Sequence, residues 1–169
     1  MLWEPPVAIE IERKFLVKDD GWRKLATGQA RIRQAYLALG GKATIRVRVK
    51  DDRAATLTIK SRSAKLRRLE LEYPVPVADA EALIGLRRGA VIEKVRHIVP
   101  YAGATWEVDV FAGENAGLII AEVELPHEDV RPELPPFVGA EVTGRAEYYN
   151  SGLATRPYGS WAAQDSAAT

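Results

Sequence analysis

The chain has 169 residues, 47% apolar and 28% charged, with 24 Lys and Arg against 23 Asp and Glu and a formal net charge of +1. That size suits one domain spanning 1–169 with a single core, and so even a balance makes no case for a nucleic-acid binder relying on overall positive charge. Without cysteine, disulfides, thiolate nucleophiles and Cys-ligated metals are excluded, and His97 and His127 lack the companions of a zinc site.

The opening Met1-Leu2-Trp3-Glu4-Pro5-Pro6 has neither the basic region nor the apolar core of a signal peptide. No apolar run approaches the ~20 residues of a membrane span. The expectation is a soluble, cytoplasmic protein with no membrane and no nucleic-acid partner. Residues 7–17 then alternate, Ile9, Ile11, Phe15 and Val17 against Glu10, Glu12 and Lys14, which predicts a half-buried strand. A short helix is predicted over 19–28, opened by Asp and stopped at Gly28. Strands near 31–39, 43–50, 54–61 and 66–75 follow, separated by Gly40-Gly41, by Asp51-Asp52 and by a polar connection from Ser61 to Lys65. From Asp79 to Gly89, Ala82, Leu83 and Leu86 recur at helical spacing. Strands near 91–100, 104–111 and 118–125 come next. The Pro-rich stretch from Pro126 to Gly139 reads as mostly irregular, 144–154 as helix, and Ser160 onward as a frayed tail. About eight mainly antiparallel strands with few helices suggest a barrel or a strongly curved sheet.

Residues i and i+2 of a strand share a face, and here that face is unusual. Four acidic pairs stand at this interval, Glu10/Glu12, Glu70/Glu72, Glu107/Asp109 and Glu122/Glu124, together with two basic pairs, Arg46/Arg48 and Lys94/Arg96. Each charged face backs onto Ile, Leu, Val and Phe, as in Ile45, Val47 and Val49 behind Arg46, Arg48 and Lys50. A half-covered sheet with its polar side in water explains any one strand, and cross-strand pairs could cancel neighbouring charges. It explains the set poorly. Solvated faces mix Thr, Ser, Gln and Lys, whereas this one is mostly carboxylate, guanidinium and ammonium with repeated like-charged neighbours. Clustered carboxylates without Cys or His suit Mg²⁺ or Mn²⁺, and clustered Arg and Lys suit phosphates. A ligand with a metal and several phosphates satisfies both. The charges then look inward, and the apolar faces look outward, where helices must cover them. The predicted helices at 19–28, 79–88 and 144–154 fall short of that cover, which argues weakly for a homodimer.

The stretch Glu10-Ile11-Glu12-Arg13-Lys14-Phe15 resembles the ExExK signature of the CYTH superfamily, the triphosphate tunnel metalloenzymes. Gln34-Ala35-Tyr36-Leu37, Thr44 to Arg48, Leu57 to Lys60, Arg68 to Glu72, Glu93 to Arg96, Trp106 to Phe111, Leu118 to Leu125 and the region from Gly139 to Ala154 extend the resemblance over about 7–154. It implies a mainly β (α+β) fold: an eight-stranded antiparallel β-barrel tunnel with short covering helices and a C-terminal plug helix around Glu147-Tyr148-Tyr149-Asn150. It further implies divalent metal on Glu10, Glu12, Glu122 and Glu124. The triphosphate would lie on Arg46, Arg48, Lys60, Arg68, Lys94 and Arg96, with Glu70, Glu72, Glu107 and Asp109 as supporting tunnel acids. Lys14 and Tyr36 resemble a pair that positions or activates the attacking water. Members often carry a base where this chain has Glu147, and an early His-Phe element of the nucleotide-cyclising branch is absent, which favours hydrolysis. Three functions follow: a Mg²⁺- or Mn²⁺-dependent inorganic triphosphatase, a nucleoside triphosphate phosphohydrolase or adenylate cyclase, and a non-catalytic polyphosphate- or nucleotide-binding module. Arg13 alternates away from the charged face, His97 opposes Lys94 and Arg96, and Trp22, Trp106 and Trp161 are assigned to packing.

Overall fold

A computed structural model describes residues 11–61 and 69–162. Its strands are β1 (Ile11–Val17), β2 (Gly28–Ala38), β3 (Ala43–Lys50), β4 (Ala54–Ser61), β5 (Glu70–Val75), β6 (Arg88–Tyr101), β7 (Ala104–Ala112), β8 (Ile119–Leu125) and β9 (Val138–Glu141). Two short helices, α1 (Val77–Gly85) and α2 (Asn150–Thr155), accompany four 3-10 turns. The strands form one antiparallel sheet in the order β5-β4-β3-β2-β6-β7-β8-β1-β9.

The expected eight-stranded closed barrel is therefore wrong. Among the described residues the sheet has nine strands and two free edges, β5 and β9. Closure needs the terminal strands to pair at a fixed stagger. Here β9 occupies the outer side of β1, pairing Phe15 with Glu141 and Val17 with Val138 across a register shift. At the other edge β5 has only six residues and includes Pro74, which has no N–H to give a further ladder. The mainly β character stands, but the closure does not.

The sheet is nevertheless curled. Lys14 on β1 lies four strands from Tyr36 on β2, about 19 Å along a flat sheet, yet its charge acts on the Tyr36 phenol. Leu16 of β1, Tyr36 of β2 and Ile120 of β8 also share one apolar cluster. The face carrying the even residues of β1, β2, β3, β6 and β8 is thus the concave one. Its convex back is covered in two places. Ala80 and Ile84 of α1 pack onto Ala35, Val47, Val49 and Ala55. Trp22, Phe137 and Val138 pack onto Phe15, Trp106, Val108, Ala121 and Val123. The Trp22 ring lies 4.7 Å from that of His97, which faces away from Lys94 and Arg96 as parity predicts. Arg13 also points outward, forked onto Glu141 at 2.8 and 2.9 Å.

Several elements differ from expectation. The first helix is only a 3-10 turn at Gly21–Leu25. The second begins at Val77, directly after Pro76, so Ala80 and Ile84 form its buried stripe while Leu86, past its end, is 73% exposed. The Pro-rich region contributes Val138 onward to β9. The segment expected to be helical over 144–154 splits into a turn at Ala146–Tyr148 and α2, and Trp161, placed in the tail, packs edge-on against Tyr148 and Tyr158.

The C-terminal segment does not cover the back of the sheet. Leu153 and Ala154 of α2 instead enter one end of the concave face, against Tyr36, Ile92, Phe111 and Ile120. That end is apolar. Gly89 makes the docking possible: its φ is +76°, and a Cβ there would stand 2.3 Å from the Ala154 carbonyl oxygen. Gly89→Ala is expected to cost roughly 3 kcal/mol, combining left-handed backbone strain with a clash against backbone. Urea titration would show it as a lowered midpoint with little change in slope. No helix is long and apolar enough to cross a membrane among the described residues.

Candidate active site on the concave face

Beyond the apolar end, the concave face is a continuous layer of charge with an acidic side and a basic side. On the acidic side, register sets Glu12 opposite Glu124, Lys14 opposite Glu122, and Glu107 opposite Glu122. Lys14 Nζ bridges Glu122 at 2.6 Å and Glu12 at 3.2 Å, and its residue is only 3% exposed. Burial acts against this ammonium, but Glu122 and Glu12 outweigh it and its pKa lies above the ordinary lysine value. Glu12 and Glu124 are exposed, and Glu124 has no basic partner among the described residues. Like charges directly opposite on a ladder are unfavourable unless a cation lies between them.

In the middle sits a buried hub. Asp109, with no exposure, accepts from Lys94 Nζ at 2.6 Å and from Arg96 Nε and Nη2 at 2.7 and 2.8 Å. Burial would raise the Asp109 pKa, but Lys94 and Arg96 overcome it and bring it to about 2. For Lys94, burial and then Arg96 work against the charge while Asp109 favours it, and the balance is downward. The two partners thus pull in opposite senses about one bond. We read the contact as an ion pair, because the carboxylate has two cations whereas Lys94 shares its only carboxylate. Arg96 extends the hub, reaching Glu107 at 2.6 Å and Glu122 at 3.6 Å. Burial puts the Glu107 pKa above the ordinary value, although Arg96 opposes it. Asn150 Oδ1, at the start of α2, lies 3.5 Å from Lys94 Nζ and ties α2 to the hub.

The basic side is not neutralised in this way. Arg48 donates Nε to the amide oxygen of Gln34 at 2.8 Å, and Arg46 donates Nη2 to Thr58 at 3.3 Å. Thr58 in turn donates to Glu72 at 3.2 Å. Among the described residues neither guanidinium has a carboxylate within ion-pair distance. Burial, then Arg46 and Arg96, lower the Arg48 pKa to about 10. Two buried donors, Arg46 Nε and Gln34 Nε2, have no partner among the described residues. Tyr36, 7% exposed and opposite Arg46, has its pKa raised by burial against the pull of Arg46, Arg48 and Lys14. At the edge Lys60 meets Glu70 at 3.3 Å. A cavity of about 410 Å³ is lined in part by Arg48, Lys50, Arg96 and Glu107.

Lys14, Tyr36, Arg46, Arg48, Lys94, Arg96, Glu107, Asp109 and Glu122 thus share one face, with Glu12 and Glu124 at its rim. Lys60, Glu70 and Glu72 stand farther out, on β4 and β5. Glu10 and Arg68 lie outside the described residues. Glu147 is turned from the site, accepting from Arg145 at 2.7 and 2.9 Å. Gln34, Thr58 and Asn150 escaped sequence reasoning because they are uncharged, although the parity of Gln34 with Tyr36 was available as a signal. For a metal, the donors are oxygen alone, which suits a hard divalent cation, and Glu124, opposite Glu12, has no basic partner among the described residues. No three such donors converge closely enough to hold one among the described residues. The chemistry of the donor set fits Mg²⁺ or Mn²⁺.

The family model for the CYTH domain matches residues 8–158. An inorganic triphosphatase of Acetivibrio thermocellus is 46% identical over 150 residues, spanning 88% of this chain and 95% of that protein. The inorganic triphosphatase of Nitrosomonas europaea is 35% identical over 151 residues, spanning 86% and 96%. A solved structure of the inorganic triphosphatase NE1496 superposes with a TM-score of 0.66 at 34% identity, covering 87% of this chain and 95% of that one.

Proposed function

The chain belongs to the CYTH domain family, and from that premise we propose that it hydrolyses inorganic triphosphate with Mg²⁺ or Mn²⁺. The observation that carries this reading is the unpaired basic side. Among the described residues the half-buried Arg46 and Arg48 have no carboxylate within ion-pair distance, and two buried donors there, Arg46 Nε and Gln34 Nε2, have no acceptor. Buried polar groups rarely stay unsatisfied, and an oxygen-rich polyanion supplies acceptors and counter-charge together. The nucleotide reading is weaker, because the described lining of the open cavity has no aromatic side chain on which a base could stack.

Glu10, Glu12, Glu122 and Glu124 are the residues that would hold the metal. When bound, it supplies Lewis-acid neutralisation of phosphoryl oxygens. The chain's own residues do the rest. Arg46, Arg48, Lys60, Arg68 and Arg96 bind and orient the phosphates and stabilise charge on the leaving diphosphate. Glu70, Glu72, Glu107 and Asp109 hold those bases in place. Lys14, kept protonated by Glu122 and Glu12, orients the attacking water beside Tyr36. It does not remove its proton, since a base must spend time deprotonated near neutral pH.

Purified protein is expected to release phosphate from tripolyphosphate only with divalent metal, faster than from ATP, and to form no cyclic AMP. Glu12→Ala should cut turnover roughly a hundredfold while tripolyphosphate still binds. Absence of phosphate release under every divalent metal tried would overturn the proposal, and equal turnover in Glu12→Ala would remove the metal assignment. A homodimer, if it forms, would use the outer side of β5, where Leu69 and Tyr73 are 40% and 50% exposed. Light scattering reads that directly.

A further inference from the structure

We propose that Gln34 is a substrate-positioning residue, acting by aiming Arg48 without neutralising it and by adding its own amide N–H to the triphosphate site. The inference rests on the triphosphate reading above. Gln34 is fully buried on the concave face, where register places it beside Arg48 on β3 and Ile92 on β6. Its carbonyl oxygen takes the Nε–H of Arg48 at 2.8 Å, and its Nε2 has no partner among the described residues.

The position is chemically selective. Lys14, Lys94 and Arg96 of this face are each held by carboxylates. Arg48 is instead held by the neutral amide of Gln34, and its neighbour Arg46 by the neutral hydroxyl of Thr58. A guanidinium fixed through Nε keeps both terminal nitrogens oriented for a phosphate fork. Had the acceptor been a carboxylate, the same geometry would persist but the charge would already be matched, and an arriving polyanion would have to compete with it. The amide also donates, which a carboxylate cannot do. Its orphaned N–H and the orphaned Arg46 Nε belong to successive same-face pairs of the β2–β3 ladder, and a phosphate lying along that ladder would supply both with acceptors. Arg48 and Gln34 therefore act as one unit, the amide setting direction and the guanidinium providing charge.

The test is calorimetric titration of tripolyphosphate into wild type, Gln34→Glu, Gln34→Met, Arg48→Met and the Gln34→Met/Arg48→Met double variant, with divalent metal chelated so that binding is read without turnover. Gln34→Glu preserves shape but neutralises Arg48 and loses the donor, so Kd should rise at least about tenfold. Gln34→Met should raise it several-fold. The double variant should bind about as weakly as Arg48→Met alone, because the two residues share one interaction. Thermal melts of the same samples separate this from packing. Kd within twofold of wild type in both single variants, whatever their melting temperatures, would overturn the proposal, as would additive losses in the double variant. Wild type that binds tripolyphosphate but fails to hydrolyse it with Mg²⁺ or Mn²⁺ would remove the enzymatic reading and leave the Gln34 comparison decisive. Wild type that binds none would remove both.

Discussion

Asp109→Ala should destabilise the fold by about 4 kcal/mol, the range for breaking a buried pair by removing one partner. The residue has no exposure and answers two cations, so its loss leaves Lys94 and half of Arg96 without counter-charge. Lys94→Met should cost less, because Asp109 keeps Arg96 and no buried charge is stranded. That ordering, with the acid worse to lose than the base, is readable by urea unfolding at neutral pH. The pH dependence follows from the same contacts. The folded pKa of Asp109 is depressed to about 2, against roughly 3.9 in an unfolded chain. Its contribution is therefore complete above the unfolded value and disappears as pH falls through the folded one. Between about pH 4 and 2, wild type should lose stability more steeply than Asp109→Ala.

Arg48→Met is expected to move stability and activity in opposite directions. Arg48 is half-buried beside Arg46 and Arg96 with no carboxylate of its own among the described residues. Exchanging it for an apolar side chain of similar length removes that repulsion, and the melting temperature should hold or rise by a few degrees. The amide of Gln34 loses its donor, which offsets part of the gain. On tripolyphosphate, kcat/KM should fall by about 10² to 10³, as when one preorganised donor is removed from a site of developing charge. Arg96→Met offers the contrast. Three carboxylates depend on that guanidinium, so activity and stability should fall together. A stability loss in Arg48→Met equal to that in Arg96→Met would show that Arg48 serves the fold and not the ligand.

Much of this site is legible in the residue order, because a strand's period of two converts spacing into facing. Arg46/Arg48, Lys94/Arg96, Glu107/Asp109 and Glu122/Glu124 needed only parity to be put together, and parity also turned Arg13 and His97 away. Parity says nothing about who stands opposite. The neighbours of Lys14, the sharing of Asp109 between Lys94 and Arg96, and the match of Gln34 with Arg48 all depend on register. Register is settled by turns and bulges, such as the irregularities around Tyr36. Closure was misjudged for a related reason. Alternation identifies an inner face, but two edges meet only if stagger and length permit, and β9 has the side of β1 that closure would use. The buried stripe of α1 was displaced because the helix starts two residues earlier than its acidic residue suggested. Neutral polar residues were missed because nothing in their type marks them until a charged partner is seen beside them.

The place of β1 in the sheet also bears on how the protein is made. The first described strand lies between β8 and β9, and Lys14 finds Glu122 across 108 residues of chain. As the chain leaves the ribosome, β2 to β4 can zip by hairpins at once, presenting Arg46 and Arg48 early. Glu12 and Lys14 must wait for nearly the whole polypeptide before their partners exist. Such distant pairing is slow, and it comes last in vectorial synthesis. A truncated or half-folded chain would display the cationic half of the surface without its acidic half, a form able to attract polyphosphate but not to act on it. Completion of the N-terminal strand is thus the event that turns an electrostatic trap into a finished site.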